Sequence, residues 1–320
     1  MTRLFGIVLA IIMVTACSAH VAADEAADIL GTTGVTGGVI VHVGCGDGEL
    51  TAALGASESF VVHGLDSSAK NVKQARQHID SLGRYGRVSA EVWREERLPY
   101  ADGTVNLLVS TARRAPETDE MLRVLVPGGV AYVPDGDEWE MTIKPPAKGT
   151  DEWTHFLHDA SGNAVADDEL VGPPGVLQWT ANPPHTRSHE YIPSLHAVVS
   201  ANGRIFYISD QAAIGFIRKP AQWKVMARDA YNGVLLWEKP IERWYPHIVN
   251  WGQTPQQLQR RLVAVGDRVY ATLGIHLALS EIDAATGETI REFAGTEGAE
   301  EIVYHDGVLL VVVRQVTDER

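Results

Sequence analysis

A glycine-rich loop and an acidic residue beyond it are the features of this sequence best suited to binding chemistry. Gly44, Gly46 and Gly48 alternate directly after a run of β-branched residues, and Glu49 follows them. Glycines at such a place let the backbone approach a ligand closely, and the start of the next helix presents free N–H groups. A dinucleotide fingerprint requires a glycine where Glu49 stands, and a carboxylate there would repel a pyrophosphate. The loop therefore predicts a ligand without phosphate.

Asp66 ends a second apolar run, and two roles are open for it. Its carboxylate could accept hydrogen bonds from both hydroxyls of a ribose, and such charge-assisted bonds contribute about 1.5–3 kcal/mol each. Alternatively, it could cap the helix that follows, because Asp is a favoured N-cap residue. The glycine loop upstream favours the ribose. The predicted ligand-binding set is Gly44, Cys45, Gly46, Gly48, Asp66 and Ser67.

The elements that must position this set alternate between strand and helix. Helices are predicted from Glu49 and over 68–82 and 118–125. Compact apolar runs predict strands at 39–43, 60–65, 88–92, 105–109 and 130–133, with a short sixth strand at 138–143. Such alternation predicts an α/β domain with a parallel, doubly wound, Rossmann-like sheet, and the glycine loop would follow its first strand.

Four ordered motifs resemble those of class I S-adenosylmethionine-dependent methyltransferases of the type 11-like group. The glycine loop resembles the family's first motif, and Asp66 stands where the family has its ribose-binding acid. Residues 97–106 resemble its Leu-Pro-Phe-x-Asp-x-x-Phe-Asp stretch, and residues 120–129 its Glu-x-x-Arg-Val-Leu-Lys-Pro-Gly-Gly stretch. The resemblance implies S-adenosylmethionine as co-substrate, a cationic ligand that suits an acidic loop. It does not identify the methyl acceptor.

The sequence departs from the family pattern in the region expected to serve catalysis. Asn106 replaces the usual Asp, Arg94 stands near the place of an adenine-binding acid, and Ser110 and Thr111 replace an Asn-Pro-Pro-Tyr acceptor motif. We therefore assign no catalytic residue. Two hypotheses stay open: a methyltransferase-like enzyme, and a catalytically inactive envelope protein that serves binding or scaffolding.

The N-terminus predicts export to the periplasm or cell envelope. An apolar run over 4–16 follows Arg3 and is too short to span a bilayer, which is typical of a signal peptide over residues 1–23. Two processing sites are open: a lipobox that would leave a lipid on Cys17 as a membrane anchor, or ordinary cleavage before Asp24, with a short acidic linker after it. S-adenosylmethionine is made in the cytoplasm, so export raises a question of supply. Cys45 would be an unpaired, small packing residue.

The pattern changes to an all-β domain after a linker at 144–149, which predicts domains at 24–148 and 149–320. Gly, Asn and Asp punctuate predicted strands at 197–199, 204–208, 224–229, 235–238, 268–272, 280–283, 290–293 and 308–313. The motif Asp-Ala-x-[Asn/Thr]-Gly occurs at 229–233 and again at 283–287, where the last pair predicts a tight turn between strands. This repetition predicts β-propeller blades.

Residues 151–159 and 171–179 resemble exported, planctomycete-type bacterial proteins with pyrroloquinoline-quinone-like propeller repeats. Some of those proteins carry a methyltransferase-like domain in front, and the resemblance places Trp237 as a blade-docking residue. Quinone enzymes of this fold commonly use a disulfide of adjacent cysteines, but no cysteine follows Cys45, so no pyrroloquinoline quinone is predicted. The repeats would then be a binding platform. About three blades are present, so missing blades or a partner chain would complete an incomplete propeller.

Other patterns carry weaker signals. His155, His158 and Asp159 invite a metal interpretation, as do His185 and His189, but zinc needs three or four convergent ligands, so we predict no metal site. Packing within blades is predicted for most of the tryptophans, with a binding face as the alternative. The net charge of −14 argues against a nucleic-acid partner.

Overall fold

The computed structural model describes residues 20–136, 138–173, 175–182, 194–215, 219–242, 244 and 256–314. Two compact units make up the chain, Met1–Pro146 and Ala147–Arg320, and the division between them falls inside the predicted linker at 144–149. The predicted lipobox with Cys17, the histidines His185 and His189, and Trp251 lie outside the described residues.

A six-stranded sheet forms the centre of the first unit. Its strands lie in the order β3-β2-β1-β4-β5-β6. They are β1 Gly38–Val43, β2 Phe60–Asp66, β3 Val88–Val92, β4 Val105–Ser110, β5 Leu125–Asp135 and β6 Glu138–Ile143. The first five strands are parallel and β6 pairs antiparallel with β5. The predicted Rossmann-like sheet is confirmed, and the carboxyl ends of β1, β2 and β4 meet at one edge of it.

Within the described part of this unit, four helices accompany the sheet: α1 at residues 20–33, α2 Glu49–Leu54, α3 Ala69–Ser81 and α4 Thr118–Val124. Where the sequence suggests an acidic linker after residue 23, the structure has α1. Ala26 and Ile29 of this helix are buried in one apolar cluster with Ile40 and Leu54, and they lie on one helical face because they are three residues apart. Over the described residues, no helix has both the length and the apolarity needed to cross a bilayer.

The described residues of the second unit form three antiparallel sheets. The first sheet has the order β10-β9-β8-β7, the middle sheet β11-β12-β13-β14, and the third sheet pairs β15 with β16. The strands are β7 Leu195–Ala201, β8 Arg204–Asp210, β9 Trp223–Asp229, β10 Leu235–Pro240, β11 Leu262–Val265, β12 Arg268–Thr272, β13 Leu279–Asp283, β14 Thr289–Phe293, β15 Ala299–His305 and β16 Val308–Val313. A 3₁₀ helix at Gln256–Arg261 precedes β11. The all-β prediction is confirmed for this half, and β11 and β15 are strands that the sequence analysis did not predict.

The three sheets pack face to face in chain order. Phe206 and Ile208 of the first sheet share an apolar cluster with Val269 of the middle sheet. On the opposite face of the middle sheet, Tyr270 shares a second cluster with Ile302 of the third sheet. β11, β12 and β13 of the middle sheet therefore bury residues on both of its sides, whereas β14 is largely exposed.

Residues 153–155 form hydrogen bonds with the first strand of each of the three sheets in the second unit. Trp153 exchanges backbone and side-chain hydrogen bonds with Ser200 of β7, at 2.7 and 3.0 Å. The Ala264 N–H of β11 donates to the Thr154 carbonyl at 3.0 Å. The Tyr304 N–H of β15 donates to His155 Nε2 at 3.0 Å. This segment, which we call the strap, therefore holds strands that are far apart in the chain.

Candidate functional site

The glycine turn between β1 and α2 adopts a conformation that only glycine takes up readily. Gly44, Gly46 and Gly48 have φ angles of 88°, 54° and 89°. Added Cβ atoms would lie 2.6 Å from the Ala112 nitrogen at Gly44 and 2.7 Å from the Ala75 Cα at Gly48, so the packing of the protein itself excludes side chains there. At Gly46 the nearest atom would be 3.9 Å away. Gly46 is thus the position at which the turn leaves room for a ligand.

The carboxylate of Asp66 faces this turn. Its Oδ2 accepts hydrogen bonds from the Gly46 N–H at 3.1 Å and from the Asn71 side-chain amide at 3.1 Å, and its Oδ1 accepts the Ser68 N–H at 2.8 Å. The N-cap of α3 is Ser68, whose Oγ accepts the Asn71 N–H. The alternative role of Asp66 as the N-cap is therefore not what the structure shows. Asp66 joins the end of β2 to the open position of the turn.

A buried histidine network holds the turn from the other side. His42 of β1 forms hydrogen bonds through Nδ1 with Thr51 Oγ1 at 2.8 Å and through Nε2 with Thr111 Oγ1 at 2.9 Å. Thr111 Oγ1 also donates to the Gly44 carbonyl at 2.9 Å. Burial lowers the pKa of His42 from 6.5 to about 4, against a smaller opposing effect of Asp66, so the imidazole is neutral near pH 7. The network ties α2, β4 and the turn together.

Cys45 and Ser67 contribute differently from the glycines. The Cys45 side chain is buried in the apolar cluster below the sheet, next to Gly64, and burial raises the pKa of its thiol to about 12. Its N–H and that of Gly44 both donate to the Leu65 carbonyl. Ser67 is exposed, and its carbonyl accepts a hydrogen bond from the Arg94 Nε at 3.0 Å. The thiol of Cys45 therefore belongs to the core, and Ser67 lies at the surface, directly after Asp66.

Two of the residues that depart from the family pattern, Asn106 and Thr111, form hydrogen bonds to the elements around the turn. Asn106 Oδ1 accepts the Val39 N–H at 2.8 Å and so fixes the start of β1 against β4. Thr111 belongs to the histidine network described above. Ser110 is fully buried, and its hydroxyl has no hydrogen-bond partner within the described part of the chain. Asn106 and Thr111 therefore position the strands around the turn.

In the second unit the two Asp-Ala-x-[Asn/Thr]-Gly motifs form the same turn. In both, the first Asp accepts two backbone N–H groups through Oδ1, and Gly233 and Gly287 have φ angles of 74° and 76°. A tryptophan contacts each turn: Trp179 Nε1 donates to the Ala230 carbonyl, and Trp237 Nε1 to the Ala284 carbonyl, both at 2.9 Å. The contact is so close that a Cβ on either glycine would meet the indole ring within 2.7 Å. Each repeat thus includes a tryptophan docked on a turn.

The described histidines that were considered for a metal, His155 and His158, have protein partners. His155 Nδ1 lies 2.7 Å from Thr154 Oγ1, and His158 Nε2 lies 2.7 Å from Asp151 Oδ2. Asp159 accepts hydrogen bonds from both the N–H and the hydroxyl of Ser161. Within the described ranges there is no group of three or more His, Cys, Asp or Glu side chains placed to hold a metal ion.

The histidine network and Asn71 are site features that the sequence analysis missed. A histidine inside an otherwise apolar strand was a signal for His42, because a buried imidazole needs partners. Its partners Thr51 and Thr111 lie on other elements, so their spacing gave no indication of the contact. Nothing in the sequence marked Asn71, which lies in the first turn of α3.

Comparison with known proteins finds relatives of part of the first unit. Residues 40–129 match the family described as "Methyltransferase domain". The curated methyltransferase GfsG of Streptomyces halstedii is 32% identical over 102 residues, which are 30% of this chain and 37% of that protein. Residues 40–129 are thus similar to a methyltransferase domain. The chain spans about 37% of the length of this curated relative.

Solved structures also resemble part of the chain. A Methanococcus maripaludis protein provisionally assigned as an S-adenosyl-L-methionine-dependent methyltransferase is 26% identical. The match covers 35% of this chain and 53% of that protein, with a TM-score of 0.32. Geranyl diphosphate C-methyltransferase from Streptomyces coelicolor, solved with Mg²⁺, geranyl diphosphate and S-adenosyl-L-homocysteine, is 20% identical and covers 34% of this chain and 44% of its own, with a TM-score of 0.32.

Proposed function

We propose that the first unit binds S-adenosylmethionine at the carboxyl ends of β1 and β2 and transfers its methyl group to an acceptor. The observation that carries this proposal is the contact between the Gly46 N–H and the Asp66 carboxylate at 3.1 Å, beside a backbone position where an added Cβ would have no neighbour closer than 3.9 Å. A nucleoside can approach the Gly46 backbone on the side where a Cβ would stand, and we assign Asp66 as the acceptor for its ribose.

The occupancy of Asp66 specifies how a ribose would bind. A carboxylate has about four acceptor positions, and three are filled by the Gly46, Ser68 and Asn71 donors. Two ribose hydroxyls need two positions, so one of these donors must give way. The Asn71 amide is the donor on a rotatable side chain, whereas the other two are backbone N–H groups. We therefore expect Asn71 to turn away from Asp66 when the ribose binds.

Methyl transfer requires little acid–base catalysis from the protein. When bound, S-adenosylmethionine supplies an electrophilic methyl group, which an acceptor atom takes in line as the bond to sulfur breaks and S-adenosylhomocysteine leaves. The chain contributes alignment, since reacting atoms must be held about 3–3.5 Å apart. His42 fixes the turn through Thr111 and Gly44 and stays uncharged, so it adds no repulsion toward a cationic ligand. The acceptor is a small molecule or a surface group.

For the second unit we propose a β-propeller-like binding platform. Three face-to-face antiparallel sheets and two tryptophan-docked turns support this assignment. The signal-like N-terminus supports a location in the periplasm or cell envelope, where a lipid on Cys17 would anchor the protein to a membrane.

Calorimetric titration with S-adenosylmethionine tests the ligand assignment. The parent chain is expected to release or absorb heat with one-to-one stoichiometry, and Asp66→Asn is expected to bind about 10–100-fold more weakly because a charge-assisted hydrogen bond contributes about 1.5–3 kcal/mol. Asn71→Ala is the matched control: it touches the same carboxylate, but its loss frees an acceptor position, so affinity should stay within about threefold of the parent.

Two results would contradict the proposal. No heat with the parent chain would remove S-adenosylmethionine binding altogether. Equal binding by the parent and Asp66→Asn, with unchanged melting temperatures, would remove the ribose role of Asp66. Binding by the parent together with production of S-adenosylhomocysteine in the presence of an acceptor would establish transfer.

A further inference from the structure

The loop between α3 and β3 is a projecting part of the first unit. It spans residues 82–87 and lies inside the stretch 20–136, which the structure describes without interruption. Gly83 and Gly86 have φ angles of 66° and 112°, and a Cβ added to either glycine would meet no atom beyond the adjoining residues within 4 Å. The backbone therefore projects into open space at both glycines. We call residues 82–87 the α3–β3 loop.

Two large side chains of the α3–β3 loop are exposed although the loop itself is fixed. Leu82 and Tyr85 are 50% and 49% exposed. The Arg84 N–H donates to the Ile79 carbonyl at 3.2 Å, and the Val88 N–H donates to the Arg84 carbonyl at 3.1 Å. These backbone hydrogen bonds join the loop to the end of α3 and to the start of β3. The loop therefore presents an apolar and an amphipathic side chain from a defined position.

The surroundings of this loop are basic in a chain that is acidic overall. The whole chain has a net charge of −14, but residues 67–90 contain five basic residues and a single acidic one, Asp80. The basic residues are Lys70, Lys73, Arg76, Arg84 and Arg87. Glu58 lies 3.8 Å from Arg87, and even with it the basic residues outnumber the acidic ones. The loop therefore combines exposed apolar surface with positive charge.

The loop lies at the edge of the sheet opposite the candidate ligand site. It directly precedes β3, so it is at the amino ends of the parallel strands, whereas Gly46 and Asp66 lie at their carboxyl ends. Arg87 Nη2 donates to the carbonyl of Phe60, the first residue of β2, at 3.1 Å and so holds the loop at this edge. A surface bound at the loop would leave the carboxyl edge of the sheet accessible to a ligand.

We propose that the α3–β3 loop binds an anionic phospholipid surface, with Leu82 at the apolar boundary of the bilayer and Tyr85 among the headgroups. Tyrosine is enriched at membrane–water interfaces, and Lys and Arg near an anionic lipid surface are attracted to it. A stable protein interface needs about 20–30 residues on each side, whereas this loop has six and projects outward. The proposal rests neither on methyl transfer nor on a lipid at Cys17.

Vesicle flotation of the full chain tests the contact, with Cys17→Ser as the background so that no lipid is attached. This chain should bind vesicles of equal phosphatidylglycerol and phosphatidylcholine at least tenfold more tightly than vesicles of phosphatidylcholine alone. The preference should disappear in 1 M salt, where charges are screened beyond about 3 Å. Lys73→Gln and Leu82→Ser should each weaken binding to the anionic vesicles about fivefold. Lys148→Gln and Leu170→Ser, matched changes at exposed positions elsewhere, should bind like the background chain. The apolar N-terminal run is common to all these chains, so it cannot account for differences between them.

A fluorescent label provides a second measurement that reports insertion directly. Leu82→Cys and Leu170→Cys in the same background are labelled with nitrobenzoxadiazole, and Cys45 stays unlabelled because it is buried. Emission from position 82 should shift to the blue on anionic vesicles, whereas emission from position 170 should not change. Equal binding to both kinds of vesicle would overturn the proposal. So would an anionic preference that Leu82→Ser retains in full while the label at 82 stays in water, because that result would indicate a soluble acidic partner instead.

Discussion

A Cβ placed on Gly48 would lie 2.7 Å from the Cα of Ala75, whereas one placed on Gly46 would have no neighbour closer than 3.9 Å. Both glycines have positive φ, so alanine at either position carries backbone strain of about 1 kcal/mol or more. At Gly48 a steric clash with α3 is added to this strain. A substitution at Gly48 therefore tests what the fold requires, and a substitution at Gly46 tests what a ligand requires.

We expect Gly46→Ala to weaken S-adenosylmethionine binding at least tenfold while lowering the melting temperature of the first unit by only a few degrees, since about 1 kcal/mol shifts a domain of this size by about 2–6 °C. Gly48→Ala should destabilise the unit by about 3 kcal/mol or more, because overpacking adds to the strain. Calorimetric titration and thermal unfolding of both variants check this. Unchanged affinity in Gly46→Ala would place the ligand elsewhere.

His42 makes the stability of the first unit depend on pH. Burial lowers its pKa to about 4, whereas the unfolded chain takes up the proton near 6.5. Between these values the unfolded state binds more protons than the folded state, so the free energy of unfolding falls as the pH drops. At about 1.4 kcal/mol per pKa unit, lowering the pH from 7.5 to 5.0 should cost about 2 kcal/mol through this residue.

Urea unfolding of the parent and of His42→Gln at pH 7.5 and 5.0 measures this contribution. The variant should be less stable at pH 7.5, because the bonds to Thr51 and Thr111 are altered, but it should lose about 2 kcal/mol less on acidification. His78→Gln, a half-exposed position in α3, serves as the control and should keep the pH dependence of the parent. The same slope in the parent and His42→Gln would contradict a neutral buried His42.

At the scale of elements, the repeated turn of the second unit is held by tryptophan as well as by its own hydrogen bonds. A Cβ on Gly287 would lie 2.7 Å from the Trp237 ring. We expect Gly287→Ala to destabilise the second unit by about 2–4 kcal/mol, the sum of backbone strain and the displaced ring. Gly266→Ala controls for the strain alone, since Gly266 has a φ of 55° and open space around it, and it should cost about 1 kcal/mol. Urea unfolding followed by tryptophan fluorescence distinguishes the two. Equal losses would show that Trp237 does not confine the turn.

Most elements were predictable because their apolar pattern is local. β1, β2 and β4 are short runs of β-branched and apolar residues, and the repeated turn carries its own Asn or Thr followed by Gly. β15 was missed because Glu300 and Glu301 interrupt its apolar alternation, and β11 because it has only four residues directly after a 3₁₀ helix. α1 was missed because its acidic residues suggested a linker, whereas Asp24 and Asp28 are exposed on a helix that buries Ala26 and Ile29.

At the scale of the whole molecule, the sequence was enough to predict an α/β unit followed by an all-β unit. Fold type follows from the period of the apolar pattern, and the candidate ligand-binding residues follow from glycines and an acid at the ends of neighbouring strands. The histidine network was not predictable, since it joins residues from three elements. The role of Asn106 was not predictable either, because its partner Val39 is reached only once the sheet has formed.

The strap also bears on how rapidly the second unit can fold. Trp153 forms a hydrogen bond with Ser200, which lies 47 residues later in the chain, and His155 forms one with Tyr304, which lies 149 residues later. Contacts between residues so distant in the chain cost a large loop-closure entropy before the contact itself stabilises the protein. Proteins rich in such contacts fold slowly. During synthesis the strap leaves the ribosome long before its partners exist. Its aromatic residues would then stay open to chaperones until the last sheet arrives.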